Sequence, residues 1–204
     1  MYGNNKFSII ALLAICFLNY SFQCHKPFGC AGAVYNFEMG IKAFPDKDSI
    51  HIGDTIWLII DEPTTLKDVQ TGRMIDYSGA ENLGSAIGFH RLSQTNQFTV
   101  GAAAHFNLRL INGTEINNVD PTYLHEYSFE QVNNHYLFKL GVIPKQTGIY
   151  RLFFSNAANV YRSNDKCTKA NFTLNFKNTN QHYYMSPTYQ GGNLVGGDYY
   201  FKVY

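Results

Sequence analysis

The sequence predicts an all-β fold, an antiparallel sandwich of roughly eight to ten short strands in one domain. Three observations carry this. Tyr and Phe, numbering 15 and 16, lift the aromatic share to 16%, and aromatic side chains favour the half-buried surface of a pleated sheet. Apolar and polar residues alternate with a period of two in several stretches, as in Phe106 to Ile111 and Asn171 to Phe176. Nothing repeats the strand–helix–strand rhythm of a parallel sheet.

The elements follow in order from residue 34. Val34, Phe37, Ile41 and Phe44 open the body, and Pro45-Asp46-Lys47-Asp48 forms a turn. Ser49 to Ile52 is a short strand, Gly53-Asp54 a kink, and Ile56-Trp57-Leu58-Ile59-Ile60 an apolar strand closed by Asp61-Glu62-Pro63. The stretch 63–85 fits either a helical turn or a loop. Strand character resumes at 87–92 and 98–111, where Phe106, Leu108 and Leu110 share one face and Asn107 and Arg109 take the other. Asn112-Gly113 reads as a hairpin turn. Strands are expected at 127–129, 136–140 and 171–176, with a closing strand at 198–204, and 142–153 as a corner in which a turn leads into a further strand.

Residues 1–23 form an export signal. Lys6 precedes the uncharged apolar run from Phe7 to Leu18, too short to cross a bilayer core that needs about 20 residues. Residues 24–33 then form a tether, and 34–204 a single sandwich domain. Of 16 Lys and Arg, removal of Lys6 leaves 15, equal to the 15 Asp and Glu. A chain without net charge lacks the basic field that nucleic acid requires, so no nucleic-acid partner is expected.

The cysteines are Cys16, inside the signal, then Cys24, Cys30 and Cys167. One assignment gives each mature cysteine a role: a lipid on Cys24, and a disulfide between Cys30 and Cys167 in an oxidising compartment. Such a bond would stabilise the fold by up to about 5 kcal/mol through loop-closure entropy. The alternative is ordinary cleavage near Gln23 or Ala33, with Cys24 free, lost or differently paired. Ser21-Phe22-Gln23-Cys24 resembles the bacterial lipobox in its place at the signal's end. It departs from that pattern with Gln23 where a small residue is usual and Ser21 where an aliphatic one is usual.

Val142 to Phe153 resembles the corner of immunoglobulin-like sandwiches in which Gly, one residue and Tyr lead into a new strand. Gly148 and Tyr150 take those places. The resemblance implies that the Tyr150 hydroxyl bonds to an upstream carbonyl and that Leu152 points inward. Ile52-Gly53-Asp54-Thr55-Ile56-Trp57 is similar to the first sheet crossing of such domains. As a whole, the chain resembles small lipoproteins of Bacteroidota-type cell envelopes that carry one immunoglobulin-like β-sandwich. That resemblance implies an immunoglobulin-like fold with additional C-terminal strands, a membrane contact through a lipid anchor, and residence in the cell envelope, at the outer membrane or in the periplasm. His25-Lys26-Pro27 after Cys24 lacks acidic residues and favours the periplasmic side.

The motifs for chemistry are weak. None of the 7 histidines stands in a metal-ligand spacing, and no cofactor or metal is expected. Leu83-Gly84-Ser85-Ala86-Ile87-Gly88 falls one place short of a nucleophile elbow. The pairs Asp46 with Asp48 and Asp61 with Glu62 lie at strand ends, where solvated carboxylates are expected. No catalytic residue is assigned. The leading expectation is a non-enzymatic binding or structural module, with envelope proteins or glycans as partners. A carbohydrate-binding module is the alternative, stacking sugars on Tyr183, Tyr184, Tyr189 and Tyr199; a hydrolase whose site assembles only in space comes last.

Overall fold

The computed structural model describes residues 32–95, 97–116, 121–177, 179–189, 191 and 196–204. The signal, Cys24 and Cys30 lie outside the described residues. The body is an all-β sandwich of two seven-stranded sheets with a small two-stranded ribbon at one side.

In the first sheet, β1 (Val34–Phe44) lies between β3 (Ile56–Pro63) and β15 (Asp165–Phe176). Beyond β15 lies β14 (Ala157–Arg162); beyond β3 lies β12 (His135–Pro144), whose outer edge is shared by β11 (Glu130–Val132) and β8 (Phe106–Asn112). The second sheet runs β2 (Ser49–Ile50), β16 (Asp198–Val203), β13 (Gly148–Phe154), β6 (Gly84–Arg91), β10 (Leu124–Ser128), β9 (Thr114–Ile116), with β7 (Val100–Gly101) on the end of β6. Two pairs depart from the expected antiparallel pattern: β1 with β15 and β2 with β16 run parallel. Both join a strand near the start of the body to one near its end, so no short turn dictates their direction.

The chain changes sheets where backbone freedom permits. Gly53 adopts φ +88° between β2 and β3, and its N–H is donated to the Pro144 carbonyl. Gly113, at φ +101°, carries the chain from β8 in one sheet to β9 in the other. Asn112-Gly113 is therefore a crossing and not the expected hairpin turn: β8 pairs with β12 and β9 with β10. A further crossing is the Lys145–Thr147 turn between β12 and β13. There the Tyr150 hydroxyl is donated to the Gln146 carbonyl at 3.0 Å, and Leu152 is fully buried.

The stretch 63–85 forms the ribbon of β4 (Thr65–Lys67) and β5 (Met74–Asp76). Buried Asp68 holds it to β1. Its carboxylate accepts the Asn36 amide at 2.9 Å and the Thr71 hydroxyl at 2.6 Å, and these donors depress its pKa, the Asn36 amide most.

The inward faces are aromatic. At one end of the core Phe37 meets Phe172 and Tyr77 with centroids 5.3 and 5.4 Å away; at the other Tyr150 packs on Phe106 at 4.9 Å and Phe201 at 5.7 Å. Several interior tyrosines place their hydroxyls on carbonyls: Tyr77 donates to Val160, Tyr136 to Tyr77 and Tyr199 to Lys47.

Candidate functional site

The groups weighed for chemistry are built into the fold. Ser85 is buried and donates its hydroxyl to the Ser155 carbonyl at 2.8 Å. Asp46 accepts the Asn180 amide, and Asp48 accepts the Tyr184 and Ser49 hydroxyls, which lower its pKa, Tyr184 most. Asp61 meets His135 at 2.6 Å, and Glu62 accepts the Gly40 amide at 2.9 Å. Among the described residues no three His, Cys, Asp or Glu side chains gather into a metal-binding group.

A cleft of about 510 Å³ opens on the outer face of the second sheet. Its floor comes from β13 and β16. Strand parity turns Arg151, Phe153, Asp198 and Tyr200 outward, because Leu152, Tyr199 and Phe201 face the core. Arg151 grips one Asp198 oxygen with Nε at 3.0 Å and an η nitrogen at 2.9 Å, and its guanidinium lies 5.1 Å from the Phe153 ring centre. The walls come from segment 97–99 and from the turn around Tyr183–Met185. Phe98 stands edge-on to Tyr200 at 5.3 Å, and Tyr183 contacts Tyr200 at 5.6 Å. Tyr189 lies nearly parallel to Tyr183, at 6.4 Å and 17°. Burial pushes the Tyr183 hydroxyl up to about 12, so it remains a hydrogen-bond donor at neutral pH.

Of the tyrosines expected to stack, Tyr183 and Tyr189 line this cleft. Tyr184 is exposed outside it, with its hydroxyl on Asp48. Tyr199 does not belong to a binding surface: it is fully buried against Phe176 and Phe201, with its hydroxyl on the Lys47 carbonyl. The period-two pattern held the correction. If Phe201 and Val203 face the core, so does Tyr199, and Tyr200 faces out. Phe98, Arg151, Asp198 and Tyr200 were missed, since a register between distant strands brings them together.

A second hollow of about 540 Å³ lies beside β8 and β10, where His125 Nδ1 meets Glu115 at 2.6 Å. Cys167 stands at the start of β15, its amide donated to Asp165. Its carbonyl oxygen crowds Gly32, where an added Cβ would lie 1.9 Å away.

The fold and cleft define an all-β sandwich with an aromatic, ion-paired recess on one outer face. No family model matches the chain, and no curated protein matches it. Two solved structures are similar: the reeler domain of human F-spondin, at 11% identity over 75% of this chain and 93% of that one, with a TM-score of 0.33; and a type II cohesin domain from the cellulosome of Acetivibrio cellulolyticus, at 8% identity over 67% and 91%, with a TM-score of 0.28.

Proposed function

We propose that the protein is an exported, non-enzymatic binding module of the cell envelope, held to a membrane by a lipid on Cys24 and taking a glycan in the cleft of the second sheet. The observation that carries this reading is the cleft itself. It sets four aromatic rings, Phe98, Tyr183, Tyr189 and Tyr200, around a paired Arg151 and Asp198. Rings offer faces for the apolar side of a sugar, while an ion pair offers donors and acceptors for its hydroxyls. The carboxylates, histidine and serine weighed for chemistry are bound to backbone or to one another, which favours binding over turnover.

Retention of the mature protein on a panel of neutral polysaccharides tests the cleft. Binding to at least one, weakened about tenfold or more by Tyr189→Ala with unchanged thermal stability, is the expected result. No retention across the panel, or retention indifferent to Tyr183→Ala and Tyr189→Ala, overturns it. The anchor is tested separately by mass spectrometry of the mature N-terminus, where an unmodified Cys24, or a chain beginning beyond it, removes the lipid.

A further inference from the structure

One wall of the cleft is joined to a buried histidine. His182 opens the Tyr183–Met185 turn in the left-handed conformation, at φ +52°, and its carbonyl accepts the Met185 amide. Tyr183, the next residue, places its ring on the cleft against Tyr200. His182 is 5% exposed, with its ring edge-on to Tyr199 at 5.5 Å and to Tyr184 at 6.0 Å.

A neutral imidazole carries one N–H and one lone pair, and buried polar atoms are ordinarily paired. Here Nδ1 and Nε2 both lack a hydrogen-bond partner among the described residues. Asp46 Oδ1 lies 3.3 Å from Nε2 but out of hydrogen-bond geometry. The rest of the turn is held by polar bonds. Asn180 donates its amide to Asp46 and accepts the His182 amide, Gln181 donates Nε2 to the Gly196 and Asp198 carbonyls, and Tyr184 donates its hydroxyl to Asp48. No residue of Tyr183–Met185 is buried. A segment held in this way opens more readily than the sheets beneath it.

The charged and titratable groups facing His182 are Asp46 and Asp48 from the Pro45–Asp48 turn, Tyr199 from β16 and Tyr184 from its own turn. The Asp48 carboxylate raises the Tyr184 hydroxyl to about 12 and burial raises that of Tyr199, so both stay neutral. A proton on His182 thus places a cation in the site. Burial opposes that charge more than Asp46 and Asp48 favour it, and the histidine pKa lies below the ordinary 6.5. An ion pair formed in place would raise the pKa. By linkage, the protonated protein favours an arrangement in which the ring is hydrated, and hydration lifts the turn that carries Tyr183.

We propose that His182 is a proton-operated latch on the cleft wall: neutral, it lets the turn seat Tyr183 against Tyr200; protonated, it leaves its site and takes Tyr183 with it. The consequence, release of a bound glycan in mild acid, rests on the glycan reading of the cleft; the movement of the wall does not.

NMR of the mature protein without glycan reads the wall directly. Between about pH 7.5 and 5 the backbone amides of Tyr183–Met185 are expected to shift with the same midpoint as the His182 ring. In His182→Asn, which the backbone conformation accepts, they stay in place. Asp46→Asn keeps an oxygen for the Asn180 amide but removes an attraction for the proton, so the His182 midpoint falls. Retention on a neutral polysaccharide bound at neutral pH weakens about tenfold or more by pH 5, no more steeply than about tenfold per pH unit, the limit for one proton. Any of three results overturns the latch: amides of Tyr183–Met185 that stay still while His182 titrates; the same movement in His182→Asn, which assigns it to His90, opposite Arg151 in register; or an unmoved midpoint in Asp46→Asn. Absence of retention on every polysaccharide overturns the glycan reading alone, since the amides still decide whether the wall moves.

Discussion

The ring of Phe153 lies across the backbone of Gly88. The two are register partners on β13 and β6, and a Cβ on Gly88 would sit 1.7 Å from Cε1 and 2.2 Å from Cζ of that ring. Phe153 in turn carries the Arg151 guanidinium, which holds Asp198 on the cleft floor. A glycine on one strand thus sets the height of an ion pair two residues along the next.

Gly88→Ala forces the ring outward. Overpacking of this kind costs about 1–3 kcal/mol, read as a lower urea midpoint with unchanged slope. Because Arg151 loses its support, glycan retention by the cleft falls as well. A variant with normal cleft binding would show that Phe153 and Arg151 move independently.

Tyr150→Phe removes the hydroxyl that spans the sheet crossing to the Gln146 carbonyl, and with it the 3.2 Å contact to His105 Nδ1. The ring keeps its packing on Phe106 and Phe201, so the loss is about 1 kcal/mol, the worth of one hydrogen bond. Equilibrium denaturation measures it; no change would mean that packing alone holds the corner.

Acid destabilises the fold through histidines. Burial lowers the pKa of His90, His105 and His182 below the ordinary value of 6.5. His182 is 5% exposed, with Nε2 3.3 Å from Asp46 Oδ1 but out of hydrogen-bond geometry; Asp46 and Asp48 pull its pKa back up without reversing the shift. A depressed histidine pKa means that the unfolded chain binds more protons than the native one. Stability is therefore full above about 6.5 and declines as pH falls from there through the lower native values. His182 has φ +52°, a conformation asparagine accepts, so His182→Asn removes one titrating group without adding strain. Thermal unfolding between pH 7.5 and 5 should show a flatter decline in this variant, and an unchanged slope would assign the effect to His90 and His105.

The sandwich was legible because its core strands carry their own alternation: 136–140, 148–154 and 171–174 bury every second residue through interior Tyr, Phe and Leu. What depends on register between distant strands was not. The parallel pairing of β1 with β15 leaves no local mark, and Asn112-Gly113 has the composition of a hairpin turn although positive φ at Gly113 serves a change of sheet. The ribbon at 63–85 escaped for a similar reason: its anchor is the Asp68 carboxylate on the Asn36 amide, 32 residues back. At the cleft, Tyr183 and Tyr189 were found by composition, but their partners arrive through the pairings of β13 with β6 and β16. The approach of His182 to Asp46 was hidden in the same way, since the two lie far apart in sequence.

The sequence leads one to expect a disulfide between Cys167 and Cys30, which lies outside the described residues. β1 runs parallel to β15 from Val34 opposite Lys169, the Lys169 amide is donated to the Ala33 carbonyl, and Gly32 packs against the Cys167 carbonyl. Gly32 stands two residues after Cys30 in the chain, and an alanine there would strike the Cys167 backbone at 1.9 Å. Such a bond would close a loop over most of the body, and its reduction would then lower unfolding stability by several kcal/mol, with about 5 kcal/mol as the ceiling set by loop entropy. Two measurements check this: the intact mass of the mature protein with and without reductant under alkylation, and denaturation of the Cys30→Ser, Cys167→Ser variant. Gly32→Ala should be destabilised in the oxidised protein by more than in the double serine variant, where the strand end is free to withdraw. Labelling of both cysteines by the alkylating agent without prior reduction would show that no such bond forms.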